Sequence, residues 1–343
     1  MAENERVRIA DIAEELGVST ATVSNVIHGK TKKISDETVK RVQLLLEERK
    51  YIPSMAGILL AQNNSRIIGV IINDHEKYEG RVLEDPFISS AVNYLSYETD
   101  KNGYFLMIKI TTETSDIIRF ASMWNVSGMV LIGFCCDQDY DKLRSSIRIP
   151  FVVYDGFFDK PNRISNITID NFDGGYQVGK HFAELGHKKL LCISDNFTCM
   201  DLERWNGFKK AAKEHALSAD YLQIPLNSEE RIQFYEEKMN EIKMYSAVFA
   251  VSDFYAVELM QFLMENGIKI PGDISISGFD DTPICRQIAP SLTSVHQDCK
   301  SRAKTAVSVL KELQKHEKEG SIIRLPVELI TRNSTAKYTK QLH

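Results

Sequence analysis

Five aspartates stand at or just beyond the ends of short apolar runs: Asp74 after RIIGVII, Asp155 in PFVVYDG, Asp195 in KLLCISD, Asp253 in SAVFAVSD and Asp280 in SISISGFD. Carboxylates accept hydrogen bonds from hydroxyls, a guanidinium donates several, and an aromatic ring covers the apolar face of a sugar. Arg204 in ERWNGF and Phe87 in EDPF add the guanidinium and the ring. Asp74, Phe87, Asp155, Arg204, Asp253 and Asp280 thus read as a site for a small polyhydroxylated effector, a sugar being favoured. Capping competes for some of them: Asp253 and Asp280 sit where a helix N-cap is wanted, and Asp155 divides evenly between cap and contact. Phe134, after GMVLIG, reads as core.

A second chemistry begins at STATVSNVIHG, residues 19 to 29. Ser19 can accept a free N–H at a helix start, and Val18 can staple to Val23. With Val23, Val26 and Ile27 inward, Thr20, Ala21, Thr22, Ser24 and Asn25 face outward. Small outward side chains let a helix lie deep in a major groove, where Thr and Asn hydrogen-bond base edges and an Ala methyl meets thymine. Ser19, Thr22 and Ser24 equally suit phosphate oxygens, which position without reading sequence. Between Lys30 and Lys50, seven Lys and Arg residues, Lys32 and Lys33 among them, oppose four acidic ones, so this end is basic although the whole chain carries −5. On this pattern alone, a small helical bundle that binds nothing is nearly as good an explanation.

These residues need elements to place them. Ile9, Ile12, Ala13 and Leu16 mark one helix face that Gly17 ends, and Ile34, Ser35 and Val39 repeat the cap and staple for a third helix. Two helices across a tight Gly turn, braced by a third, make a helix-turn-helix head. From Arg66, apolar runs alternate with helical stretches in two series, which specifies an α/β unit resembling a periplasmic binding protein, with two parallel-sheet lobes. Ligands bind beyond the carboxyl ends of such strands, where the aspartates lie.

At 343 residues the chain exceeds the roughly 250–300 at which one core stops growing. Hydrophobic residues at 43% and charged residues at 26% are ordinary for a globular protein, and no apolar run approaches a membrane span. MAENERVRIADIAEELG lacks a signal-peptide core, so a cytoplasmic location is expected. Six cysteines form no C-x-x-C pair, so neither a metal site nor a disulfide framework is expected. With no G-x-G-x-x-G, Walker or G-x-S-x-G motif, the chain is read as no enzyme and as needing no cofactor.

VRIADIAEELGVSTATVSNVIHG, ISDETVKRV and YIPSMAGILLAQNNSRIIGVI resemble the N-terminal signature of the LacI/GalR family of bacterial transcription regulators. IDNFDGG, LGHKKL, ERWNGF, SDFYAVELM, PGDISISGFDD and PSLTSVHQD follow in the family's order, so the likeness covers nearly the whole chain. The resemblance implies a repressor of sugar-utilisation genes, a homodimer on a pseudo-palindromic operator, with Arg204 and Asp280 contacting the effector. The same regulator sensing a purine or nucleoside is the alternative, and a stand-alone sugar-binding protein a distant third. Asn25 stands where the family has Arg and His28 where it has Asn; Asn pairs with adenine as Arg does with guanine, so the operator half-site is expected to differ. The expected division is a head at 1–50, a hinge at 51–65, an effector and dimerisation unit at 66–334 and a tail at 335–343 without leucine heptads. Within that unit the first lobe is expected at about 66–157 plus 298–318, the second at about 160–292 plus 320–334.

In the resembled family the hinge becomes a helix on DNA and a Leu, matching Leu60, wedges into the minor groove. Leu59 suits packing instead. Gly57 and Ile58 replace the family's Ala-Arg, and Gly costs a helix roughly 0.8–1 kcal/mol relative to Ala. Gly57→Ala is therefore expected to tighten operator binding and blunt release by effector, because less ordering entropy is lost. Operator affinities with and without effector check this; an unchanged or weaker variant refutes it.

Overall fold

The computed structural model describes residues 7–52, 65–134, 140–157, 164–315 and 320–339. Leu60, with Gly57 and Leu59, lies outside the described residues, so the wedge remains an expectation from resemblance. The chain divides into two compact units, Met1–Ser65 and Arg66–His343.

The first unit contains α1 (Ile9–Leu16), α2 (Thr20–Ile27) and α3 (Asp36–Glu48). Gly17 ends α1 at φ +66, a left-handed position that glycine adopts without a Cβ penalty. Ser19 caps α2 by accepting the Thr22 N–H at 3.1 Å, and Ser35 caps α3 by accepting that of Thr38 at 3.3 Å. Ile12, Ala13, Val23, Val26, Val42 and Leu45 close one small core. Glu15 and Arg49 pair at 2.8 Å between α1 and the end of α3, an exposed bridge that contributes little.

In the second unit, β1 (Ile67–Ile72), α4 (Pro86–Lys101), β2 (Phe105–Ile110), α5 (Thr114–Trp124), β3 (Gly128–Ile132), α6 (Tyr140–Ser146), β4 (Phe151–Tyr154) and β5 (Ser165–Ile169) come first. They are followed by α7 (Asn171–Glu184), β6 (Lys189–Ser194), α8 (Cys199–Glu214), β7 (Ser218–Gln223), α9 (Ser228–Ile242), β8 (Ala247–Ala250), α10 (Asp253–Glu265) and β9 (Ser275–Asp280). The short α11 (Ile284–Gln287), β10 (Thr293–Gln297), α12 (Cys299–Leu313), β11 (Ile322–Leu325) and β12 (Val327–Ile330) complete it. One sheet runs β11-β5-β4-β3-β1-β2 and is parallel throughout; the other runs β12-β10-β9-β8-β6-β7, with only β12 antiparallel. In β1, Ile68, Val70 and Ile72 pack to one side and Ile67 and Ile71 to the other, the period-2 signature of a strand covered on both faces.

The lobe boundaries differ from those expected. β5 pairs with β4, and β11 with β5, so Ser165–Ile169 and Ile322–Leu325 belong to the first lobe rather than the second. β10 joins the second sheet through β9. The chain therefore crosses between lobes at three single residues: Asp170, Asp298 and Pro326. β5 is buried on both faces and reads alike in either sheet, and β11 is parted from β12 by Pro326 alone, so apolar pattern cannot assign either strand. Asp170 caps α7, accepting the Asp173 N–H at 2.9 Å, and its own N–H donates to Leu325 carbonyl at 2.9 Å.

Two glycines let α7 and α8 meet backbone to backbone. A Cβ on Gly175 would lie 1.9 Å from the Arg204 carbonyl oxygen, and one on Gly207 would lie 1.9 Å from that of Phe172. Gly175→Ala is expected to cost about 1–3 kcal/mol by overpacking against an atom that cannot rotate away. Urea unfolding measures it; a loss under half a kilocalorie would show that the helices separate freely. Among the described residues, no helix is long and apolar enough to cross a membrane.

Candidate functional site

In the head, Ser19, Thr20, Ala21, Asn25, Lys32 and Lys33 are exposed, while Thr22, Ser24 and His28 are half-buried. The Ser19 and Thr22 hydroxyls lie 2.9 Å apart, so the start of α2 is held rigid before any ligand arrives. The outward residues of α2 are small and uncharged, and the lysines lie in the loop beyond it. This is a surface that a DNA groove fits, with cations beside it for phosphates.

In the second unit, a cleft of about 1290 Å³ opens between the lobes at the carboxyl ends of both sheets. Phe87, Asp155, Arg204 and Asp280 line it, as does Phe134, which is also core. Arg204, 6% exposed, is hydrogen-bonded at two of its three nitrogens. Its Nε donates to Asn171 Oδ1 at 2.9 Å, Nη1 donates to the Val251 carbonyl at 2.6 Å, and Nη2 stands 4.0 Å from Asp280 Oδ1. The guanidinium also covers the Phe279 ring at 3.7 Å. Asp280 accepts from Gln297 Nε2 at 2.6 Å and sits at φ +112, a conformation that a non-glycine residue adopts only when its surroundings enforce it. Burial pushes its carboxyl well above the usual range against the pull of Arg204.

Asp155 is engaged from behind. Arg302, wholly buried, pairs with it at 2.5 Å, and the Thr168 hydroxyl donates to it at 3.1 Å. Arg302 also donates to Gln297 Oε1 at 2.7 Å and stacks over Tyr154 and Phe87 at 4.4 and 5.7 Å. A continuous buried chain, Arg204–Asp280–Gln297–Arg302–Asp155, thus joins the two lobes under the cleft floor.

Two expected contacts are not cleft residues. Asp253 is 1% exposed, and both its oxygens are spent internally. It accepts from the Thr282 N–H and hydroxyl at 2.7 and 2.9 Å, the Cys285 thiol at 3.1 Å and the Ser294 hydroxyl at 2.5 Å, while Ser252 takes the N-cap. It holds the loop after β9 in place. Asp74, two residues beyond the end of β1, does not line the cleft, although its neighbours Asn73 and His75 do.

Other lining residues were not chosen from sequence. Gln297 ends an apolar strand as the aspartates do, and the same rule applied to SVHQ finds it. Lys77 and Tyr78 lie on a 3-10 turn, Glu76–Tyr78, with no sequence signal. Asp195, 4% exposed, lies opposite Lys77. Burial would raise the Asp195 carboxyl, but Lys77 holds it below its ordinary value; neighbouring Asp201 is pushed up to about 6 by burial. At the mouth, Glu79 of the first lobe accepts from the Ser228 N–H at 3.2 Å and Asn227 Nδ2 at 3.3 Å, closing the start of α9 across the gap. Among the described residues, no cluster suits a metal ion.

A groove-fitting head and a two-lobed cleft define an effector-responsive, DNA-binding regulator. Residues 8–54 match the signature of bacterial regulatory proteins of the lacI family, and residues 180–335 match a periplasmic binding protein-like domain. The HTH-type transcriptional repressor PurR of Haemophilus influenzae (strain PittEE) is 30% identical over 341 residues, 95% of this chain and 98% of that protein. Its namesake in Photobacterium profundum is 28% identical over 339 residues, again 95% and 98%. A lac repressor dimer bound to operator and the anti-inducer ONPF superposes with TM-score 0.83 at 23% identity, covering 97% of this chain and all of that one. A CelR–cellobiose complex gives 0.71 at 20%, covering 96% and 100%. The chain belongs to the lacI family of bacterial regulatory proteins. It is a ligand-responsive transcriptional repressor, as its relatives are, and not an enzyme.

Proposed function

We propose that this repressor acts in the cytoplasm as a homodimer on a pseudo-palindromic operator, and that its cleft takes an uncharged polyhydroxylated effector, a sugar. The charge of the cleft carries this reading. Among the described residues, nine carboxylate side chains line it against four Lys or Arg; with Asp155 held by Arg302, Glu258 by Arg231 at 2.7 Å and Asp280 pushed toward its protonated form, six carboxylates still face three cations. Such a wall repels phosphates and other anions yet offers acceptors to hydroxyls. Phe87 supplies a ring in the cleft wall, 6.4 Å from Tyr154 and 5.7 Å from the Arg302 guanidinium. Exposed apolar side chains support the dimer: Phe105 and Ile108 lie on edge strand β2, with Tyr97, Met123 and Trp124 on the helices that flank it.

The relatives named PurR favour a second reading, in which the effector is a purine or nucleoside. A thermal-shift screen separates the two, since ligand at 100 times its Kd adds about 2.7 kcal/mol. Neutral sugars are expected to raise Tm and sugar phosphates to leave it unchanged. Response to hypoxanthine, guanine or guanosine alone replaces the sugar with a purine. Sedimentation of the purified protein with and without operator duplex tests the dimer, and a monomer in both removes it.

A further inference from the structure

We infer that residues 73–85 form a lid over the effector cleft, latched shut by Glu79 on the start of α9, so that an effector enters or leaves only when this latch lets go. The inference rests on the cleft being the effector site and is independent of what the effector is. Its first support is length. Thirteen residues part Ile72 of β1 from Pro86 of α4, whereas the other strand-to-helix connections of this unit that are described throughout take four or fewer. Such connections ordinarily run to roughly 2–6 residues, and one beyond about 12 is commonly a lid or a binding loop.

The second support is the path of these residues. Their last part is fixed to the first lobe: Val82 is 1% exposed in that lobe's core, and Asp85 caps α4 by accepting the Ile88 N–H at 2.9 Å. The middle faces the second lobe instead. His75 Nδ1 accepts the Lys77 N–H at 3.2 Å and caps the 3-10 turn Glu76–Tyr78, and Lys77, Tyr78 and Glu79 line the cleft. Burial alone would lower the Lys77 ammonium pKa, yet Tyr78 beside it and Asp195, Tyr255 and Asp201 of the second lobe raise it well above the ordinary lysine value. A charged side chain of the first lobe thus lies in the field of the second.

Glu79 makes the attachment. Its Oε1 accepts the Ser228 N–H at 3.2 Å, one of the donors that a helix start leaves unpaired, and Asn227 Nδ2 at 3.3 Å. Arg81 stands 3.6 Å from the other carboxylate oxygen. With 36% of its side chain in water, Glu79 holds weakly, which suits a latch that reopens.

Cys199 reports the opening. It lines the cleft at the start of α8, 5% exposed, between Asp195 and Asp201, the two carboxylates that Lys77 faces. Cys192 and Cys285, both fully buried in the core of the second lobe, report loosening of the lobe itself. The test is iodoacetamide alkylation of the full-length protein, followed at each cysteine by peptide mass spectrometry; it uses no effector, so its failure leaves the sugar reading untouched. Glu79→Asn shortens the side chain by one methylene and tolerates the left-handed backbone, φ +49, of this position. Ser228→Pro removes the N–H from the other side: proline is favoured at the first position of a helix, and Asn227 already has the φ −75 and ψ 137 that a following proline requires. Ser228→Ala removes only the hydroxyl, which donates to Glu258 at 3.1 Å. Glu79→Asn and Ser228→Pro should each speed Cys199 alkylation by about threefold or more, as the loss of one hydrogen bond allows, with Cys192 and Cys285 unchanged. Ser228→Ala should leave all three at the parent rate. The lid is overturned by Cys199 rates that are equal in the parent and both latch variants, or by parallel acceleration at Cys192 and Cys285. A response to one latch variant without the other, or to Ser228→Ala as large as to Ser228→Pro, overturns it too.

Discussion

Arg204→Ala should cut the influence of effector on operator affinity by 10- to 100-fold or more while leaving operator affinity in the absence of effector within a few-fold of the parent. Its Nε and Nη1 are held by Asn171 and Val251 while Nη2 stands 4.0 Å from Asp280, beyond hydrogen-bond reach, and none of these partners lies in the head. An effector shifts a two-state balance only by its difference in affinity for the two states, and a near-complete switch needs about 10⁴-fold. Loss of one buried charged hydrogen-bond partner, at about 1.5–3 kcal/mol, removes 10- to 100-fold or more of that preference. Fluorescence anisotropy of labelled operator, titrated with and without effector, measures both quantities. Loss of operator binding without effector would show that Arg204 maintains the fold and is not reserved for sensing.

The second large effect is expected at Arg302. Its side chain is wholly excluded from solvent and the Asp155 carboxylate beside it is 9% exposed. Arg302→Ala therefore leaves a buried carboxylate uncompensated and should lower unfolding free energy by about 3–5 kcal/mol. Arg302→Met combined with Asp155→Asn should recover much of this, since removing both charges is nearly neutral where removing one is not. Asn also tolerates the left-handed backbone, φ +67, that Asp155 adopts. Urea unfolding of Arg302→Met, Asp155→Asn and their double gives the coupling. A single-variant loss below 1 kcal/mol, or strict additivity, would mean that the pair contributes no net interaction.

Most of the fold was written in local chemistry. Ser19 and Ser35 announced their helices because a hydroxyl before an apolar turn has one obvious use, and the inward Val23 and Val26 followed from helical period. Asp155 was placed at the cleft because strand ends meet there, while the family resemblance singled out Arg204 and Phe87 and tipped Asp280 from cap to contact. Asp253 was misread because a strand-end aspartate can serve the cleft or the loop beside it, and only Thr282, Cys285 and Ser294, distant in sequence, decide which. Asp74 was misread because the chain leaves β1 at Ile72, and past a strand's end the sequence does not say which of three successive polar residues reaches the cleft. Arg302 gave no signal at all: on α12 it occupies a buried position where the pattern expects an aliphatic side chain, and its purpose appears only when Asp155 and Gln297 are brought to it.

The three one-residue crossings at Asp170, Asp298 and Pro326 confine how the lobes can move. Connections this short permit rotation about the line they share but almost no sliding, and Pro326 fixes its own φ. Fluorophores attached near Glu79 and Ser228, at the far rim, would therefore register the largest change in separation for a given swing, and a pair flanking Pro326 almost none. The molecule is built as a pair of calipers, and an optical reporter of its effector is best fitted at the tips.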